Sequence, residues 1–177
     1  MFSNKIIRTL FILTLISANI GCDQISKSIV RESVDHQEWI EIYEDNFILT
    51  NVENPGAFFG WLGDLPPVLK GILLALLPSL AILAILFTVL TRTNLPKGAA
   101  TGLSFIIGGG IGNIYDRIAH GSVTDFLHID LGLFRTGIFN MADVSIMVGM
   151  GIVLMSMWWA KDDIKKPDEM GSSIGSA

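Results

Sequence analysis

The sequence predicts an all-α polytopic membrane protein with four transmembrane helices and a small extracytoplasmic β platform. The first observation behind this fold class is composition, because 50% of the 177 residues are hydrophobic and only 16% are charged. The mean hydropathy of +0.54 is too high for a soluble domain of this size. The second observation is a series of long uncharged segments, since about 20 apolar residues in a helix cross a hydrocarbon core of roughly 30 Å.

Four segments are predicted to span the membrane, and the first has two interpretations. The spans lie at about 6–28, 68–91, 98–116 and 137–160. In the first interpretation, the uncharged run 9–22 is too short for a membrane span and is the core of a signal peptide. The run ends at Cys22, which resembles the cleavage site of a lipoprotein precursor, except that Asn19 stands where leucine is usual. The alternative is a helix that continues to Val30 with its polar residues facing the bundle interior. We expect the continuous helix, which makes four spans.

The other three spans differ in character. Residues 71–91 carry no charge, and residues 136–160 carry only Asp143. The third span is rich in glycine, which is typical of helices that approach one another closely in lipid. A phosphate-binding loop is the weaker interpretation of the glycines at 108–112, because neither Lys-Ser nor Lys-Thr follows them.

The distribution of cations predicts the orientation. Four spans place both termini on one side of the membrane. The cations of the termini and the middle loop are Lys5, Arg8, Arg92, Lys97, Lys161, Lys165 and Lys166, and those of the opposite side are Lys27, Arg31, Lys70, Arg117 and Arg135. Because positive residues accumulate inside, we expect both termini in the cytoplasm.

Outside the spans, the sequence predicts one small ordered region and one tail. The extracytoplasmic platform is expected at about 38–62, with an irregular pair of short strands within 39–49 and a turn at Asn54-Pro-Gly. Residues 1–160 would form one membrane domain. The polar segment 161–177 is expected to be a disordered cytoplasmic tail.

Charge and cysteine content argue against several function classes. The net charge of −5 gives no basic surface for a nucleic acid backbone. Cys22 is the single cysteine, so no internal disulfide is expected, and the three histidines show no zinc-ligand spacing. We therefore expect neither a metal nor a cofactor.

Two aspartates are the candidates for chemistry. A carboxylate at membrane depth costs on the order of 2.5–3.5 kcal/mol, so Asp143 needs protein or water around it and is a functional candidate. Asp125 follows the third span at the same external boundary. If the two carboxyls approach each other, repulsion keeps one protonated while the other is ionised, as in aspartic proteases. The ionised group would activate water and the protonated group would polarise the scissile carbonyl.

Four ordered blocks resemble the lipoprotein signal peptidases (signal peptidase II), over roughly residues 5–160. The blocks are Asp23-Gln-Ile-Ser-Lys27, Asn54-Pro-Gly-Ala-Phe-Phe-Gly60, Gly109-Gly-Ile-Gly-Asn-Ile-Tyr-Asp-Arg117 with Val123-Thr-Asp-Phe126, and Phe139-Asn-Met-Ala-Asp143. The sequence departs from the family pattern at Phe58, where alanine is usual, and at Ser26, where threonine is common. We expect these two differences to alter packing and not mechanism.

The resemblance implies a function and a set of site residues. The catalytic pair would be Asp125 and Asp143. The substrate site would be formed by Asn54, Gly56, Asn113, Arg117 and Asn140, with Asp23 and Lys27 supporting it from the first helix. The implied reaction is removal of signal peptides from prolipoproteins by cleavage just before a diacylglyceryl-modified cysteine. The implied setting is the bacterial inner membrane, with the active site toward the periplasm, membrane lipids and lipid-modified prolipoproteins as partners, and a monomeric enzyme.

Some alternatives remain open on sequence alone. Intramembrane carboxylates also occur in small transporters and proton-conducting proteins, and a structural membrane subunit is a further alternative. Asp116, next to Arg117, is expected to form an interfacial ion pair that closes a helix and not to take part in catalysis. Asp23 could cap or snorkel as readily as contact substrate.

Overall fold

The computed structural model describes residues 5–43, 46–56 and 65–165, with side chains described as far as residue 159. Five helices and three strands follow one another along this part of the chain. They are α1 (Lys5–Ser33), β1 (Trp39–Tyr43), β2 (Phe47–Asn54), α2 (Pro67–Gly71), a π-helical turn (Ile72–Leu76), α3 (Leu77–Thr91), α4 (Lys97–Ala119), β3 (Val123–Ile129) and α5 (Met141–Lys165). The helices and strands leave most of the apolar surface on the outside.

Helix α1 is continuous through Cys22 and extends to Ser33, as the longer of the two interpretations predicts. Its buried residues recur every three or four positions, so they form one face of the helix. They are Arg8, Ile12, Ile16, Asn19, Asp23, Lys27 and Val30. Four of these seven are polar or charged, whereas large apolar residues such as Ile7 and Leu10 are exposed. This inside-out distribution fits a helix that faces lipid on its outer side.

Three of the described helices are long and apolar enough to cross a membrane. They are Lys5–Ser33, Pro67–Thr91, which joins α2, the π-helical turn and α3, and Met141–Trp159. The fourth predicted span is also a helix, α4, of 23 residues, but it does not belong to this apolar set. Helix α4 packs against α1, α3 and α5 and buries ten of its residues, so it is the centre of the bundle. Because protein surrounds it, glycine and polar residues replace the apolar ones that lipid would select.

Glycines allow α4 and α5 to approach closely. A Cβ at Gly102 would lie 2.6 Å from the carbonyl oxygen of Gly149, and a Cβ at Gly109 would collide with the carbonyl oxygen of Ala142. Backbone groups cannot move aside as the end of a flexible side chain can. The glycine-rich third segment is therefore a packing surface, as the sequence predicts.

The strands form one antiparallel sheet in the order β1-β2-β3. Strands β1 and β2 lie within the predicted platform, and β2 extends the predicted pair to Asn54. Residues 44–45 and 57–64, which include the end of the predicted platform, lie outside the described residues. The third strand, β3, was not predicted. It places Asp125 opposite Val52 in the register of β2.

The last helix differs from its prediction at both ends. It begins at Met141 and not at 137, because Phe139 pairs with Leu127 of β3 and Asn140 caps the helix. It continues to Lys165, five residues beyond the predicted end of the span at 160. The rest of the predicted tail, 166–177, lies outside the described residues.

Candidate active site

Polar side chains from four elements meet where β2 and β3 reach the bundle. Asn54 ends β2, Asp125 lies in β3, Asn113 faces them from α4, and the start of α5 brings Asn140 and Asp143. Four of the five residues are separated by more than ten positions in sequence from one another, so only the tertiary fold assembles them.

Asp143 lies in the first turn of α5 and is held by a reciprocal cap. The Asp143 backbone N–H donates to Asn140 Oδ1 at 3.1 Å, and the Asn140 backbone N–H donates to Asp143 Oδ2 at 3.2 Å. This is the capping-box arrangement, with Asn and Asp in place of the more usual Ser and Glu. Because the helix N-terminus carries partial positive charge, it stabilises a negative charge on Asp143.

Asp125 is buried in the sheet and accepts hydrogen bonds on both oxygens. Asn54 Nδ2 donates to Asp125 Oδ2 at 2.9 Å, and Asn140 Nδ2 donates to Asp125 Oδ1 at 2.6 Å. Burial raises the pKa of Asp125 from 3.8 to about 6, and repulsion from Asp143 adds to the rise, whereas the two amide donors oppose it. A carboxyl with a pKa near 6 can be protonated close to neutral pH.

Two asparagine side chains connect the carboxyls. Asn113 Nδ2 donates to Asp143 Oδ1 at 2.9 Å, while Asn140 Nδ2 donates to both Asp125 and Asn113 Oδ1, the latter at 3.2 Å. Lys27 Nζ also donates to Asn113 Oδ1, at 3.0 Å. Since an ammonium can only donate, it fixes the Asn113 amide with its N–H groups toward Asp143.

A buried ion-pair network supports this arrangement from α1. Lys27 Nζ lies 2.8 Å from Asp23 Oδ2 and 2.9 Å from Asp116 Oδ2, and all three side chains are fully buried. Asp23 Oδ1 accepts the backbone N–H of Ala142 at 2.9 Å. Asp23 thus ties α1 to the start of α5, one residue before Asp143, and neither caps α1 nor snorkels.

Asp116 has a structural ion-pairing role, but with a different partner from the one expected. Its carboxylate pairs with Lys27 and, at 3.2 Å, with Arg31 of α1, and not with Arg117. The side chain of Asp116 is fully buried within the bundle. The reason is the helical geometry of α4, which directs consecutive side chains about 100° apart, so that Asp116 faces α1.

Arg117 points toward the end of β2 instead. Its Nη2 donates to the Gly56 carbonyl at 3.4 Å, and its Nη1 donates to the Asn113 carbonyl at 3.3 Å. The Gly56 N–H in turn donates to Asn54 Oδ1 at 3.1 Å, which makes the predicted turn an Asx turn. Hydrogen bonds and ion pairs therefore connect all nine residues that the sequence singled out for the site.

Three supporting residues were missed in the sequence. Arg31 Nε donates to Thr124 Oγ1 at 2.7 Å, and Thr124 Oγ1 donates to Glu53 Oε1 at 2.6 Å. Glu53 and Thr124 are the neighbours of Asn54 and Asp125, so this chain of contacts holds the two strands in position beside α1. The available signal was helical spacing, since Arg31 lies one turn after Lys27.

A groove leads from the site along the helices. It has a volume of about 250 Å³ and lies between α3, α4 and α5. Its lining is mainly apolar, with Ile82, Ile106 and Ile146 along its length and Asn113 and Arg117 at its polar end. Among the described residues, no group of three His, Cys, Asp or Glu side chains could hold a metal ion. The arrangement offers two coupled carboxyls, amide donors and an apolar approach.

Comparisons with known proteins show the family to which the sequence is similar. The family described as "Signal peptidase (SPase) II" matches residues 15–159. A lipoprotein signal peptidase of Neisseria meningitidis serogroup C is 36% identical over 149 residues, covering 84% of this chain and 90% of that protein. One from Desulforapulum autotrophicum is 31% identical over 150 residues, covering 85% and 91%.

The fold is also similar to that of solved structures. A bacterial membrane enzyme determined by the in meso method at 2.3 Å resolution superposes with a TM-score of 0.76 at 20% identity, covering 88% of this chain and 92% of the other. At this identity, the match shows that the two chains share a fold. The chain, a multi-pass membrane protein with its paired carboxyls where β3 meets α5, therefore belongs to the signal peptidase II family of peptidases.

Proposed function

We propose that this protein is an intramembrane aspartic endopeptidase that removes signal peptides from diacylglyceryl-modified prolipoproteins. Cleavage falls just before the lipidated cysteine. Asp125 and Asp143 are the catalytic pair, and no metal or cofactor takes part. The observation that carries the proposal is the pair of asparagine side chains, Asn113 and Asn140, that joins the two carboxyls in one hydrogen-bonded cluster.

The different environments of the two carboxyls suggest their roles. The start of α5 stabilises negative charge on Asp143, so Asp143 is the carboxylate that takes a proton from the attacking water. Asp125, with its raised pKa, carries the proton that polarises the scissile carbonyl. Hydroxide adds to the carbonyl carbon, the C–N bond breaks, and the proton held by Asp143 passes to the leaving amine.

The apolar groove gives the substrate a route to the carboxyls. We place the signal helix of the precursor against α3, α4 and α5, so that it enters sideways from lipid. Arg117 and Asn113 lie at the polar end of this groove and bind its backbone carbonyls, as guanidinium and amide donors do. The end of β2, with Asn54 and Gly56, forms the part of the platform that covers the scissile bond.

The proposal includes four membrane spans, with α4 as the fourth. Both termini then lie in the cytoplasm and the carboxyls lie toward the periplasmic face of a bacterial inner membrane. The distribution of cations supports this orientation. The protein acts as a monomer, because α1, α4, α5 and the sheet of one chain supply all nine site residues.

Mass spectrometry of the reaction products tests the proposal. The purified protein is incubated with a diacylglyceryl-modified precursor and, as the matched control, with the same precursor before lipidation. We expect a product that begins with the lipidated cysteine, and at least about a hundredfold slower cleavage of the unlipidated control. Cleavage at another bond, or equal rates on the two precursors, would contradict the proposed specificity. No cleavage together with proton flux in proteoliposomes would favour the proton-conducting alternative.

A further inference from the structure

A cationic cavity lies at the end of the bundle opposite the two carboxyls. It has a volume of about 140 Å³ and lies between α1, the connection from α3 to α4, and the first turns of α4. This volume is well above the roughly 10–15 Å³ that one water molecule needs. The described residues that line it include Arg8, Lys97, Thr93 and Thr101, and none of them is acidic. Its lining therefore favours an anion.

Arg8 supplies the most specific feature of the cavity. Its side chain is only 6% exposed, although it lies in the first turn of a helix. Nη2 donates to the carbonyl oxygens of Val89 at 2.8 Å and Arg92 at 3.0 Å, which fixes the guanidinium group. Nη1 is buried and has no acceptor within the described part of the chain. A buried positive charge without a counterion is unfavourable, so an anion in the cavity would stabilise the protein.

The first turn of α4 adds to the preference for an anion. Helix α4 begins at Lys97, which lines the cavity together with Ala100 and Thr101 of the next turn. The partial positive charge of the helix dipole at such a start favours phosphate and similar groups. Arg8 reaches the same place from another helix, so two independent elements converge on one position.

The surroundings of the cavity indicate what kind of anion fits. On the outer face of α1 next to Arg8, Ile7 is 53% and Leu10 is 59% exposed, and α1 is one of the three apolar spans. Phe11 is part of the lining itself. A free anion gains nothing from such a surface, whereas the hydrocarbon chains of a lipid do.

We propose that this cavity binds the phosphate of an anionic phospholipid, with the acyl chains along the exposed face of α1. The phosphate lies against the Arg8 guanidinium group and the positive start of α4. The bound lipid would anchor the start of α1 to the connection between α3 and α4. This site is separate from the peptidase site and does not depend on the reaction proposed for it.

Native mass spectrometry with dioleoyl phosphatidylglycerol tests the proposal. Arg8→Gln removes the guanidinium group, and Thr101→Leu fills the cavity while it leaves Arg8 unchanged. Arg92→Gln is the matched control, because it makes the same charge change at the same end of the bundle on an exposed side chain. We expect about tenfold weaker retention of the lipid by each of the first two variants and a change below about twofold for the control. If Arg8→Gln fails to fold, Thr101→Leu decides.

Two further probes identify the chemistry that is recognised. Dioleoylglycerol has the same acyl chains without phosphate, and inorganic phosphate has the anion without the chains. Neither compound is expected to displace bound dioleoyl phosphatidylglycerol at matched concentration. Displacement by either probe, equal retention by Arg8→Gln and Arg92→Gln, or full retention by Thr101→Leu would overturn the proposal.

Discussion

At the scale of single residues, Asp125 and Asp143 are held by similar donors but have different environments. Asp143 lies in the first turn of α5, whereas Asp125 lies in a buried strand. Burial therefore acts against the charge of Asp125 more than amide hydrogen bonds favour it. In the proposed mechanism, this difference gives Asp125 the proton and Asp143 the negative charge.

The raised pKa of Asp125 predicts how cleavage depends on pH. If Asp125 must be protonated, kcat/KM falls as pH rises above about 6, by about tenfold for each pH unit. The measurement is kcat/KM on a lipidated precursor between pH 4.5 and 8.5 in one detergent. A profile that stays flat across this range would show that the proton of Asp125 is not needed.

The same group predicts a pH dependence of stability. Because the folded state raises the pKa from 3.8 to about 6, the folded protein binds the proton more tightly than the unfolded chain, so stability falls as pH rises from about 4 to 6. Asp125→Asn removes this loss, which is on the order of 3 kcal/mol at most. We expect the Tm of Asp125→Asn relative to the parent to increase between pH 4 and pH 8.

Asp130 provides the control for that measurement. It lies just after the same strand, but the backbone N–H of Gly132 lowers its pKa, aided by Arg135. Its ionised form is favoured in the folded state, so stability gained from Asp130 is lost as pH falls through its lowered pKa. Asp130→Asn should show no increase in relative Tm from pH 4 to pH 8. Parallel behaviour of the two variants would contradict the assignment to Asp125.

At the scale of elements, the contact between α4 and α5 sets the position of Asp143. Gly109 of α4 packs against the backbone of Ala142, which lies in the first turn of α5 directly before Asp143. In the same helix pair, Gly102 and Gly149 meet backbone to backbone. Small residues at these positions allow the two helices to pack without gaps where lipid offers no hydrophobic drive for association.

Adding one methyl group to this contact should disturb both stability and activity. In Gly109→Ala the new Cβ would collide with the Ala142 carbonyl, so α5 must move, at a cost of about 1–3 kcal/mol. We expect a lower Tm and slower cleavage. Gly151→Ala is the control, because its Cβ would meet no atom within 4 Å. Thermal unfolding and cleavage rates measure both effects, and equal behaviour of the two variants would argue against the packing role of Gly109.

The sequence predicted the helices better than the sheet. Apolar segments of about 20 residues mark helices that must satisfy their backbone in lipid, and α1, α3, α4 and α5 each overlap one predicted span. Strand β3 was not predicted, because residues 123–129 closely follow the third predicted span and were interpreted only as the connection after it. Alternation does not mark this strand, since its first four residues are all buried. The late start of α5 was missed because the Asn140 cap lies inside an apolar run.

The sequence motifs single out residues that the fold brings together, but their individual contacts could not be predicted. Spacing along the chain does not show that Lys27 orients Asn113, or that Asp116 faces α1 and not Arg117. These contacts depend on the rotation of α4 within the bundle. The capping pair of Asn140 and Asp143 is the exception, because the separation of three residues is a local signal for the start of a helix.

At the scale of the whole molecule, the bundle is polar inside and apolar outside. The fully buried Asp23, Lys27 and Asp116 lie at its centre, while Phe87 and Met147 are exposed on its surface. In water this distribution would be unfavourable. In a bilayer the ion pairs are shielded from lipid and the apolar surface meets hydrocarbon.

Labelling of single cysteines tests the four-span arrangement. In a Cys22→Ser background, Leu133→Cys lies in the exposed connection between β3 and α5, and Asn94→Cys lies in the exposed connection between α3 and α4. If α4 crosses the membrane, a membrane-impermeant maleimide labels Leu133→Cys in intact spheroplasts and labels Asn94→Cys only after permeabilisation. Labelling of both positions in intact spheroplasts would show that α4 does not span.

The most direct test of the central claim measures cleavage by two variants, Asp125→Asn and Asp143→Asn, on one lipidated precursor. Each is close in size to the parent residue and removes one carboxyl, and Asp130→Asn serves as the control at a half-buried carboxyl outside the cluster. If the two carboxyls share the chemistry, each of the first two variants loses at least about a thousandfold in rate while the control retains the parent rate. Cleavage near the parent rate by either Asp125→Asn or Asp143→Asn would contradict the account.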